Sequence, residues 1–389
     1  MGSYFGFCGI SICEGQLWKD LDGGFGCRYY SICGYELAVD EVNDRLLLCG
    51  DIPFISSCET WRMPARWNGY QWEKMNYSLS NNLAFRTIGT YKGGIFTNNE
   101  LLGSENSSFL KWSGDDWEMI EGAPSTSVLY CMVEHDNFLF VSGAFNDCSG
   151  DSANLVFRYD GEKVEPLVDF FVDVGFGKAL AFYHDTLFVG GYFRDYAREI
   201  FHFASVYNND IHQVTSSITS DAIIETMCVH DGVLWLGGGF NPGNFGLEKE
   251  TFLAYYDGKN VYPSPWQPNG RVVSLKSYNN ELYMAGWFTQ IEEKESHGIA
   301  KINDFGYFSL NTDTVYNKAG FPRLTGMIRD MEIWKDTLYI TGAFGSIGKD
   351  TTLNTIAKLN RSLSEGAVFL QSDLTLYPNP SHDQLTLET

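Results

Sequence analysis

One seven-residue phrase recurs along the chain and constrains its fold more than any other feature. It reads LFVSGAF (Leu139–Phe145), LFVGGYF (Leu187–Phe193), LWLGGGF (Leu234–Phe240), LYMAGWF (Leu282–Phe288) and LYITGAF (Leu338–Phe344). A weaker copy is LLLCGDI (Leu46–Ile52), and a degenerate one is IFTNNEL (Ile95–Leu101). A unit repeated at fixed period is a supersecondary piece that cannot bury its apolar face alone, so copies must stack on one another. The phrase therefore speaks to architecture and says little about chemistry.

Each phrase sits inside a longer unit. An apolar stretch precedes it, such as Val128–Val133, Ala179–Tyr183 or Asp330–Trp334. A polar turn then leads in: His135-Asp136-Asn137, His184-Asp185, His230-Asp231-Gly232, Asn279-Asn280 or Lys335-Asp336. Asn, Asp and Gly tolerate positive φ, so the spacing predicts a β-hairpin. The phrase alternates as a strand does and carries Gly143, Gly191, Gly238, Gly286 or Gly342 at one fixed slot. A glycine there predicts a bulge or a close backbone approach. In the degenerate copy Asn99, itself tolerant of unusual φ, takes the slot.

After a loop of variable length come a third strand (Ala65–Gly69, Leu110–Gly114, Phe157–Gly161, Ala254–Gly258) and a fourth (Trp72–Met75, Trp117–Ile120, Val164–Leu167). The unit is thus a four-stranded antiparallel meander. The slot falls at positions 50, 99, 143, 191, 238, 286 and 342, a spacing of 44 to 56 residues. Propeller blades of the kelch class run near ~50 residues and WD repeats ~40–45. The expectation is an all-β chain, a seven-bladed β-propeller. Its last unit has a third strand, Ile356–Asn360, but no convincing fourth, whereas Glu14–Leu21 near the N-terminus has the form of one. The N-terminal strand is expected to close the ring and so remove an exposed edge. The rival reading completes the last blade locally with Gly366–Leu370.

Composition agrees. Aromatic residues make up 15% of the chain and there are 40 glycines, which suits half-buried strands joined by tight turns. Net charge is −22, with no run of Lys and Arg, so neither nucleic acid nor an anionic membrane surface is an expected partner. No apolar run approaches a membrane span. The first residues lack the basic start of a complete signal peptide, so residues 1–13 read as a leader remnant or a disordered segment. Nine cysteines include no CxxC pair, which argues against structural zinc. Disulfides such as Cys49–Cys58 and Cys131–Cys148 stand beside an equal alternative of free buried thiols, with Cys228 read as a free thiol.

The units of residues 14–363 resemble kelch-like and galactose-oxidase-like propeller repeats of large secreted proteins of gliding and gut bacteria (Bacteroidetes), where the consensus runs roughly LYVGGxF … IARWNGxxW. After a linker at 364–373, residues 374–389 resemble the opening of a type A C-terminal sorting domain of the type IX secretion system. There the turn Tyr377-Pro378-Asn379-Pro380 precedes an alternating strand, and the remainder of such a domain is missing. The resemblance implies transport across the outer membrane by the secretion machinery, then release or anchoring at the cell surface.

The sequence offers few reactive constellations. His135, His184 and His230 share one turn position, which reads as turn chemistry rather than as a metal site, because other copies carry Asn or Lys there. Asp147–Asp151 is faintly like a calcium loop but lacks the spacing and terminal Glu of an EF-hand, and Glu292–Glu295 reads as an exposed charge run. No GxSxG, HExxH or phosphate-binding loop occurs in a supporting context, and the strand motifs of a galactose-oxidase copper site are missing. No metal or cofactor is expected.

Two classes of function remain. The first is a binding or adhesion module for carbohydrate or protein ligands, with Trp61, Trp266 and Trp287 as ligand-contacting aromatics on the variable loops. Inter-blade packing is the more ordinary reading of each of these tryptophans. The second is a secreted glycosidase or lyase with acids converging on the axial channel. Paired, water-excluded carboxylates in the channel would point to catalysis, and aromatic and neutral polar groups on an open face to binding.

Overall fold

The computed structural model describes residues 18–19, 21, 33–51, 64–78, 83–101, 107–123, 126–146, 153–167, 171–207, 210–214, 222–242, 244, 247–311, 314–316, 326–344, 346–347 and 356–359. They form seven four-stranded antiparallel blades around an axis, as the repeat predicts. The inner strands are Cys33–Asp40, Ile88–Tyr91, Thr126–His135, Val174–Tyr183, Ala222–His230, Val272–Tyr278 and Met327–Trp334. The repeated phrase is the second strand of each blade, for instance Thr186–Asp195 against Val174–Tyr183. Blades 2 and 3 also touch at one bridge, Thr126 to Ser107.

The phrase is apolar on both faces because a blade is covered on both faces. Phe188 packs with Ile224 and Leu236 of blade 5, while its neighbours Leu187 and Val189 pack with Leu155 and Val156 of blade 3. Seven such clusters fill the seven seams between blades. A strand buried on both faces reads as a nearly continuous apolar run, which is what the phrase is.

The hairpin into each phrase turns as expected. Asp136-Asn137, His184-Asp185, Asn279-Asn280 and Lys335-Asp336 all have φ between 45° and 64°. Lys92-Gly93 and Asp231-Gly232 are likewise both at positive φ, 47° to 74°, in blades 2 and 5. Two successive positive φ values make the primed turn whose twist matches that of the flanking strands.

The ring closes through the N-terminal strand. Trp18–Lys19 pairs antiparallel with Ile356–Leu359, Trp18 opposite Leu359, and becomes the outermost strand of blade 7. Gly366–Leu370, the rival for that place, lies outside the described residues. Leu21 then inserts into the seam between blades 7 and 1, 1% exposed beside Trp67, Trp334 and Tyr339. Its carbonyl accepts a hydrogen bond from Trp72 Nε1 at 3.3 Å. Leu21→Ala is therefore expected to cost about 2 kcal/mol through the cavity it leaves. A denaturant midpoint unchanged from wild type would show that the closure contributes nothing.

Cys49, Cys131 and Cys228 are free thiols, which is the thiol alternative at these positions; Cys58 and Cys148, the other halves of the two expected bridges, lie outside the described residues. Burial pushes the Cys131 thiol up to about 12, which keeps it protonated.

Candidate functional site: the axial channel

The phrase's glycine shapes the channel wall. A Cβ on Gly238 would lie 2.0 Å from the carbonyl oxygen of Ile223 on the inner strand, and one on Gly286 or Gly342 equally close to that of Arg271 or Met327. Only glycine permits this approach. Opposite it the inner strand carries one extra residue, breaking register between Gly34 and Glu36, Leu129 and Cys131, Gly177 and Ala179, Ile224 and Thr226, Val272 and Ser274, and Ile328 and Asp330. The bulged residues are Tyr35, Tyr130, Lys178, Glu225, Val273 and Arg329. A bulge re-aims its side chain, here into the axis.

Blade 2 reaches the same result with Asn99 in the slot. Ile88 faces Thr97 as Leu37 faces Leu48, which places Arg86 level with Tyr35. Here the side-chain oxygen of Asn98 accepts the Arg86 and Thr87 N–H groups, both at 3.3 Å. All seven residues line one cavity of about 300 Å3 on the axis. They form a collar near the end at which the inner strands begin, beneath the variable loops that follow the phrase.

The collar alternates cations with aromatic rings. The guanidinium groups of Arg86 and Arg329 lie 5.2 Å and 5.3 Å from the centre of the Tyr35 ring. Lys178 lies 5.7 Å from the Tyr130 ring, and Arg271 lies 6.0 Å from that of Trp287. Glu225, its side chain only 3% exposed, is held between Lys178 and Arg271, the latter at 3.4 Å. Two cations thus hold the one carboxylate of the collar, and two more, Arg86 and Arg329, flank the Tyr35 ring.

Deeper in the channel the balance shifts. Lys276 bonds Glu332 at 2.7 Å, and Ser274 Oγ donates to Asp330 at 2.7 Å. Asp330 also accepts the Leu37 N–H at 2.8 Å across the seam between blades 7 and 1, and Glu36 accepts the Ile88 N–H at 2.9 Å. Burial, reinforced by the charge of Asp330, pushes the Glu36 carboxyl up to about 8. Burial raises Asp330 to about 6, although Lys276 pulls the other way. Neutral pH thus leaves Glu36 largely protonated.

Trp287 is 37% exposed and lines both the channel and an adjacent cavity of about 170 Å3. Trp266 instead packs, partly buried, against the core cluster of Leu253, Phe288 and Ile291. Trp61, the loop 147–151 and the Tyr377-Pro378-Asn379-Pro380 turn lie outside the described residues. The turn histidines do not converge: His135 stacks on Phe182, and His230 Nδ1 meets Ser277 Oγ at 2.9 Å. Among the described residues no three His, Cys, Asp or Glu side chains could hold a metal ion.

Sequence reading missed the collar. Its signal was the one polar or variable residue near the start of each apolar inner strand, visible once GYEL, FRTI, LYCM, GKAL, IETM, VVSL and IRDM are aligned.

The fold and this site define a seven-bladed β-propeller with a charged, aromatic-lined axial channel. No protein-family model and no curated protein matches the chain. Among solved structures it is similar to the extracellular domain of a putative one component system from B. thetaiotaomicron, with 10% identity and a TM-score of 0.56. That match covers 89% of this chain and 40% of the other, so this chain spans less than half of that protein. It is also similar to YCF48, solved bound to a D1 peptide, with 12% identity and a TM-score of 0.51 over 92% of this chain and 100% of that one. At such identities the likeness is one of fold. Among the described residues no helix is long and apolar enough to cross a membrane.

Proposed function

We propose that this chain is a secreted or cell-surface binding module whose ligand, a carbohydrate or a protein, docks at the collar end of the axial channel. The observation that carries this reading is Trp287, an exposed ring backed by Arg271 at the rim of a cavity of about 300 Å3. That volume falls at the lower end of small-ligand pockets, ~300–1,000 Å3. The carboxylates of the wall are engaged by cations, hydroxyls or backbone N–H groups, which suits a rigid recognition surface. The kelch-like propeller repeat over residues 14–363 and export through a type IX sorting segment beginning at 374, after a linker at 364–373, belong to the same proposal. They rest on the repeat consensus and on the Tyr377-Pro378-Asn379-Pro380 turn.

The enzyme alternative has one observation behind it, the neighbouring Glu36 and Asp330 carboxyls with raised proton affinity. Such perturbation clusters at functional sites. A glycan array run beside a release assay on the same polysaccharides separates the two readings, and turnover of any polysaccharide would sink binding alone. Trp287→Ala is expected to weaken a ligand found on the array by about tenfold, the scale of one lost aromatic contact. Its melting temperature should stay within a degree or two, because an exposed side chain leaves little cavity. Unchanged affinity would move the site away from the rim.

A further inference from the structure

We infer that the collar recognises an anionic saccharide, a pyranose unit bearing a carboxylate or a sulfate ester. This rests on the binding reading above and adds the ligand's charge. The chain carries a net charge of −22, yet Arg86, Lys178 and Arg329 line one cavity at the level of the collar, where Glu225 is the one carboxylate and Arg271 stands beside it; Glu36 and Asp330 line the same cavity deeper down, with Lys276. A concentration of positive charge inside an acidic molecule is a local feature, not a by-product of composition. It also makes adventitious anion binding elsewhere on the surface unfavourable.

The geometry fits the ligand class in two respects. A guanidinium stacked by its face on an aromatic ring still presents its N–H edge, the edge that pairs bidentately with carboxylate or sulfate oxygens. The Arg329 guanidinium lies over the Tyr35 ring, 5.3 Å from its centre, and its buried Nε makes no hydrogen bond. Beside this charge Trp287 offers an apolar ring at the rim. Charge and ring side by side match a sugar ring carrying an acid group better than a bare inorganic anion. Arg271 extends the same chemistry outward, since it pairs with Glu225 and lines a neighbouring cavity of about 240 Å3 with Tyr192 and Phe252.

The test is calorimetric titration of the whole chain with four probes: an oligogalacturonate, a sulfated galactan oligosaccharide, a neutral galactan oligosaccharide of the same length, and a glutamate-rich peptide. At least one acidic saccharide is expected to bind about tenfold or more tightly than the neutral one. Arg329→Gln and Lys178→Gln are each expected to lower that affinity about tenfold, the scale of a lost charge-assisted hydrogen bond. Arg158→Gln should leave it unchanged, because Arg158 pairs with Glu165 on the outer strands of blade 3. If either collar variant folds poorly by far-UV circular dichroism, Arg271→Gln supplies the same readout from the exposed rim. Carboxylate and sulfate sources are told apart by which acidic probe binds.

Failure of both acidic probes to bind overturns the inference, and so does loss in Arg158→Gln as large as in the collar variants. Tight binding of the glutamate peptide overturns the saccharide assignment. Binding of the neutral oligosaccharide alone, lost in Trp287→Ala, overturns the charge assignment while leaving the binding module standing.

Discussion

Gly238→Ala is expected to lower the free energy of unfolding by about 3 kcal/mol or more, a large value for the addition of one methyl group. The new Cβ would sit 2.0 Å from the Ile223 carbonyl oxygen and 3.2 Å from the Glu225 nitrogen, both backbone atoms that no rotamer change can move away. The inner strand would have to retreat and flatten its bulge. Because Glu225 is the bulged residue, the substitution should also loosen its pairs with Lys178 and Arg271. Gly232→Ala provides the comparison. Gly232 has φ +72° and open space around it, so alanine there meets only backbone strain, about 1 kcal/mol. Urea unfolding followed by tryptophan fluorescence measures both. Equal losses in the two variants would mean that the close approach is not what requires glycine at the slot.

Stability should fall as pH rises from about 5 to about 8, and Glu36→Gln should remove most of that fall. In the folded chain Glu36 holds its proton up to about 8 against an ordinary 4.5, and Asp330 up to about 6 against 3.8. Above pH 4.5 the unfolded chain releases the Glu36 proton while the folded chain keeps it. The folded state therefore binds more protons and stability declines with pH. The contribution is fully present below about 4.5 and lost as pH passes through 8. Each tenfold gain in proton affinity on folding corresponds to about 1.4 kcal/mol. Glu36 is half-buried on the cavity wall, where solvent access would screen it, so we expect about 3 kcal/mol across the window, less than the raised affinity alone would give. A glutamine still accepts the Ile88 N–H, so Glu36→Gln should match wild type near pH 5 and exceed it at pH 8. Parallel melting curves for the two proteins from pH 5 to 8.5 would refute the assignment.

The scaffold was legible because its determinants are local and repeated. The polar turns encode positive φ at the hairpins, and the apolar phrase encodes a strand covered on both faces. Even the displaced strand at Trp18 announced itself through the form of its neighbours. The channel was not legible, because its residues share neither identity nor a sequence neighbourhood. Tyr35 and Arg329 meet across 294 positions through a ring closure that no window of sequence contains. Trp266 and Trp287 look alike in sequence, yet one packs on Leu253 and the other reaches the rim. Which happens depends on the blade next door.

A bulged residue has no cross-strand partner whose side chain it must match. The glycine opposite fixes the backbone at six of the seven collar positions, Arg86 of blade 2 being the exception, and is indifferent to the side chain displayed there. Tyrosine, arginine, lysine, glutamate and valine already occupy equivalent places in this one molecule. These places in its collar are accordingly interchangeable sockets on a constant frame, and a change of ligand would require only new side chains in them, with no redesign of the sheets.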